Sequence, residues 1–61
     1  MTPLGPLDIR VGMWLQSIDD PKLVMEVLSV DQPAGTALLR DPRDEDRYEI
    51  CLGDAKDWRQ A

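Results

Sequence analysis

A chain of 61 residues with twelve acidic and seven basic side chains, one cysteine and no histidine carries a formal net charge of −5. That length holds one hydrophobic core, a lone thiol permits no internal disulfide, and without histidine neither a serine- or cysteine-type dyad nor a Cys/His zinc cage can be built in its usual form. The charge repels nucleic acid, and Arg10, Lys22, Arg40, Arg43, Arg47, Lys56 and Arg59 are spread along the chain, mostly beside acids, instead of forming a patch.

Residues 1–6 read as a flexible arm, since Pro3 and Pro6 remove backbone donors and Gly5 adds freedom between them. The start lacks the basic and apolar runs of an export signal, and no stretch is long enough to cross a bilayer, so a soluble, cytoplasmic protein is expected. One domain is expected over residues 7–61. Met13-Trp14-Leu15-Gln16-Ser17, entered through Gly12, reads as a strand, and Ile18 to Lys22 as a turn around Asp20-Pro21. Leu23 to Val30 supports two readings. As a helix it has Asp20 as cap, Pro21 at the first position and Leu23, Val27 and Val30 on one face. As a strand it has the β-branched bulk of Val24, Val27 and Val30 and a glycine-containing hairpin turn at residues 31–35. The short spacing of turns favours the strand, and the helix would make the fold α+β with residues 21–30 helical.

Thr36 to Arg40 reads as a third strand, and Asp41 to Asp46 as a polar turn that no core accommodates. Arg47 to Leu52 alternates, which points Tyr48, Ile50 and Leu52 inward and Arg47, Glu49 and Cys51 outward. After Gly53, a single helical turn capped by Asp54 is expected, with Trp58 folding back. Four to five short antiparallel strands leave exposed edges unless the sheet curls, so the expected fold is all-β, a small SH3-like or Tudor-like, partly open barrel with a short C-terminal helical turn. Gly12-Met13-Trp14-Leu15-Gln16-Ser17 followed by Asp20-Pro21-Lys22-Leu23-Val24-Met25 resembles the opening of a family of short bacterial proteins with such barrels. That family's pattern is a glycine, an apolar strand, a Ser-Gly-Gly-Pro turn and a second apolar strand two residues after the proline. The likeness covers less than half of the chain. Ile18-Asp19-Asp20 stands where the glycine pair would be, and Leu38-Leu39-Arg40 replaces a later Cys-Trp strand. The resemblance implies a fold and no activity.

Among groups able to do chemistry, only carboxylates are plentiful, densest at Asp41, Asp44, Glu45 and Asp46. A hydrophilic hairpin tip rarely supplies the water-excluding pocket that acid-base catalysis needs, so no catalytic residue is expected. The spacing matches no calcium loop, and the four glycines are too far apart for a phosphate cradle, so neither metal nor cofactor is expected. The acids read as a solvated turn or as a docking surface for a protein with a basic face. Trp14 and Trp58 read as core or as interface anchors, Tyr48 as core, and Cys51, beside Glu49 and Asp54, as an unreactive thiol. The leading expectation is a non-catalytic protein-protein interaction module, an adaptor or accessory subunit, using Asp41, Asp44, Glu45, Asp46, Trp14 and Trp58. A small acidic inhibitor that mimics nucleic acid and a nucleic-acid- or ribosome-associated barrel are the alternatives. A homodimer is compatible with the small size.

Overall fold

The turns set where each strand begins. In a computed structural model, which describes residues 4–61, Gly5 and Asp8 close the first of them, with the Asp8 amide donating to the Gly5 carbonyl and the Gly5 amide to Asp8 Oδ2. Leu4 packs against the core at its start; Met1 to Pro3 of the expected arm lie outside the described residues. Gly12, at φ +88°, then reverses the chain in a conformation that costs other residues about 1–2 kcal/mol. Its amide donates to the Val27 carbonyl, and the Val27 amide to the Met13 carbonyl, which docks the chain for β1 (Trp14–Ser17).

The Asp20-Pro21-Lys22 turn, held by the Leu23 amide on the Asp20 carbonyl and the Lys22 amide on Asp20 Oδ1, leads into β2 (Val24–Asp31). Asp20 and Pro21 therefore form a turn and start no helix, so residues 21–30 are not helical. The fold is all-β. At the next hairpin Gly35 takes φ +71°, its amide donating to the Asp31 carbonyl, while Asp31 Oδ1 accepts from the Ala34 amide. β3 (Thr36–Arg40), β4 (Arg47–Cys51), a 3-10 turn (Leu52–Asp57) and β5 (Trp58–Gln60) complete the chain. Every neighbouring pair is antiparallel, and the sheet order is β4-β3-β2-β1-β5.

The sheet is open, with β4 and β5 as its two edges. In a flat five-stranded sheet these edges would stand about 19 Å apart. The six residues of the 3-10 turn advance only about 12 Å along their axis and still carry the chain from one edge to the other, so the sheet must curl. Its concave face holds Ile9, Leu15, Met25, Val27, Ala37 and Leu39, closed at one end by Leu52 and Ala55 of the 3-10 turn. Each fully buried Leu or Val contributes about 1.5–3 kcal/mol over an exposed one. Along β2 the inward residues are Met25, Val27 and Val30, because the pairing slips by one residue between Val27 and Ser29. That bulge keeps one face of β2 on the core along its whole length.

Two expectations are corrected. Tyr48 is 43% exposed although it lies directly opposite the fully buried Leu39. Register puts it on the concave face, but β4 is an edge strand, with no further strand among the described residues beside it. The 3-10 turn begins at Leu52, not after Gly53, and its cap is Cys51, which makes no side-chain capping bond; Asp54 lies within its first turn. Trp58 does fold back to pack, half-buried, against the core, and it also opens a fifth strand, paired with β1.

Candidate interaction surfaces

On the convex face, one row of side chains crosses four strands. Trp14 pairs with Glu26, Glu26 with Arg40, and Arg40 with Arg47. Trp14 is 38% exposed, since the neighbouring Leu15 takes the core side of β1 and alternation turns Trp14 away from it. Neither tryptophan is a fully buried core residue: Trp14 faces outward and Trp58 is half-buried. Arg40, half-buried at the end of β3, is the hub of the row. Its Nε and Nη2 donate to Glu26 Oε1 at 3.1 and 2.9 Å, and its Nη1 donates to both carboxylate oxygens of Glu45 at 2.9 and 3.1 Å. The hydrogen bonds that Arg40 donates to Glu26 and then to Glu45 raise its pKa above the ordinary value, which keeps the guanidinium charged.

This hub joins the row to the turn at residues 41–46. The Asp41 amide donates to the Asp46 carbonyl, the Glu45 amide to the Asp41 carbonyl, and Glu45 holds φ +62°. A left-handed backbone at a glutamate is uncommon, and the paired hydrogen bonds to Arg40 anchor its side chain there. Asp44 Oδ1 accepts the Asp46 amide. Asp44, Glu45 and Asp46 are exposed.

Asp41 is corrected in the opposite sense to Tyr48. It is only 3% exposed, and its carboxylate is enclosed by Arg43, whose Nη2 donates to Oδ2 at 2.9 Å while Nε and the backbone amide donate to Oδ1. The side-chain hydrogen bond from Arg43, then its backbone one, hold the Asp41 pKa below the usual carboxylate value. A buried, paired carboxylate anchors the turn and is not presented to a partner.

The acids expected to act together thus divide: Asp41 is neutralised by Arg43 and Glu45 by Arg40, while Asp44 and Asp46 make no ion pair among the described residues. Sequence reasoning missed the Glu26–Arg40–Glu45 network, because the pairing of Glu26 with Arg40 depends on strand register, which no local pattern declares. Exposed Cys51 lies opposite Thr36 on β4. No three His, Cys, Asp or Glu side chains among the described residues are grouped to hold a metal ion, and no helix among them is long and apolar enough to cross a membrane. Comparison with known proteins finds no family model, curated protein or solved structure that matches the chain.

Proposed function

We propose that the protein is a non-catalytic interaction module of the cytoplasm, an adaptor or accessory subunit that meets a protein partner with its convex face. The observation that carries this reading is Trp14, an exposed aromatic in the same row as the Glu26–Arg40–Glu45 network and therefore on one face with the acidic turn. Two strand spacings, about 10 Å, separate the backbones of Trp14 and Arg40. One partner surface spans both. A tryptophan supplies the large apolar contact on which interface energy concentrates, and Asp44 and Asp46 steer a basic rim. A cytoplasmic setting keeps the exposed Cys51 reduced.

The internal pairing of Asp41 and Glu45 weighs against mimicry of nucleic acid, which needs a row of unpaired carboxylates to stand in for phosphates. The test is affinity capture from the native host with the wild-type chain, Trp14→Ala, and Asp44→Ser combined with Asp46→Ser. Serine retains a short acceptor for the turn. Trp14→Ala is expected to abolish recovery of the partner and the double variant to reduce it; equal recovery with all three would overturn the reading. Binding that collapses with added salt while surviving Trp14→Ala would point to the mimic instead.

A further inference from the structure

The outer edge of β4 has its own symmetry. The Asp41 amide donates to Asp46 at one end of the β3–β4 ladder, and the Leu52 amide donates to Gly35 at the other. Because antiparallel pairs alternate, residues 46, 48, 50 and 52 turn their backbone groups toward β3. The N–H and C=O groups of Arg47, Glu49 and Cys51 therefore face outward along an edge that no other strand among the described residues covers. Arg47 and Glu49 also make no salt bridge within the chain among the described residues. Arg47 lies opposite another arginine, Arg40, and Glu49 opposite Leu38.

We propose that a second copy of this chain docks on that edge, its β4 running antiparallel to the first about a two-fold axis through Tyr48. The backbone phase allows few registers, and charge chooses among them. Centred on Glu49, the pairing sets Glu49 on Glu49. Centred on Ile50, it pairs Glu49 with Cys51 and leaves Arg47 without an acid. Centred on Tyr48, it pairs Arg47 of each copy with Glu49 of the other, giving two cross-strand ion pairs on the convex face and backbone bonds between those residues. The two Tyr48 rings then meet on the concave face as a close, non-hydrogen-bonded pair, with backbones about 4.5 Å apart. The half-exposed ring thereby gains the cover that its own chain does not supply. This edge lies three strands from Trp14, so the apolar anchor of the partner surface proposed above stays outside the contact. A strand this short buries far less than the roughly 1,200–2,000 Å² of a standard interface, so the dimer is weak and forms at high protein concentration.

Sedimentation equilibrium across a concentration series decides it, with circular dichroism confirming that each variant is folded. The wild-type chain is expected to approach a dimer and no larger species. Arg47→Glu alone and Glu49→Arg alone place like charges in both cross-strand pairs and should each weaken association by about tenfold. Combining them restores opposite charges and should restore the wild-type constant. As a second readout, Tyr48→Cys in a Cys51→Ser background should oxidise to a disulfide-linked dimer, since the paired backbones fall within disulfide reach, whereas Cys51→Ser alone should not. A wild-type chain that stays monomeric at the highest concentration, continued growth beyond a dimer, or a double swap no better than the single ones would each overturn the proposal. Capture of a partner through Trp14 would be unaffected by any of these outcomes.

Discussion

Tyr48 and Asp41 exchange the places that their side-chain types suggest. A tyrosine in an alternating strand reads as inward and an aspartate in an Asp-Pro turn as outward, because burial follows polarity on average. The average fails where a partner is in reach: Arg43, two residues along, folds over the Asp41 carboxylate, while Tyr48 reaches the concave face on an edge strand and stays 43% exposed. Neither fact is local to its own residue. Tyr48 is the only tyrosine, so the near-ultraviolet absorbance of its phenolate titrates that site alone. Partial burial first, then the charges of Asp44, Asp46 and Asp41, raise its pKa above the ordinary 10.0. The folded state thus favours the neutral phenol. Its contribution to stability is fully present below pH 10.0 and is lost as pH rises through the higher folded value. The titration midpoint is expected above 10.0, and to fall toward it when Asp44→Ser and Asp46→Ser are combined; a midpoint that does not move would leave burial and Asp41 as the causes of the shift.

Among the elements, β2 shows why a strand can look like a helix. Met25 and Val27 point inward two residues apart, and the bulge then makes the next inward residue Val30, three residues on. Leu23, which also packs against the core, then stands four residues before Val27 and Val27 three before Val30, the steps of a helix, so periodicity alone does not separate the readings for Leu23 to Val30. The turns were more legible, since their chemistry lies within four or five residues. At the β2–β3 hairpin, the left-handed Gly35 faces open space, with nothing within 4 Å of where a Cβ would stand. Gly35→Ala therefore tests backbone conformation without a clash, and is expected to cost about 1 kcal/mol in chemical denaturation. Gly35→Asn should cost less, because asparagine tolerates that region. Equal stability of all three chains would mean that the turn relaxes to another type. β5 escaped notice for the opposite reason. Trp58-Arg59-Gln60 is too short to show a period, and only its pairing with Leu15 to Ser17 makes it a strand.

At the scale of the whole molecule, stability rests on the eight buried apolar side chains among the described residues. A chain of this length is expected to unfold at a cost of about 3–9 kcal/mol in total. Leu39→Ala, at the centre of that core, should remove about 2–5 kcal/mol and leave a large unfolded fraction at room temperature by circular dichroism. Leu38→Ala, half-buried on the convex face, should remain folded. A Leu39→Ala chain as stable as its parent would show that the core collapses around the gap. The curled all-β architecture was legible because short strands between tight turns leave few other ways to bury one small core. The convex-face row was not, because it joins residues from four strands that only register brings into line. The alternation of Arg47 and Glu49 on the uncovered rim of β4 bears also on what the molecule avoids. Chains stacking in parallel register, as in a growing fibre, would set arginine over arginine and glutamate over glutamate in endless columns, each repelling its neighbour. The same two residues that reward a closed, two-fold encounter penalise an open-ended one, which protects an otherwise bare strand from becoming the seed of an aggregate.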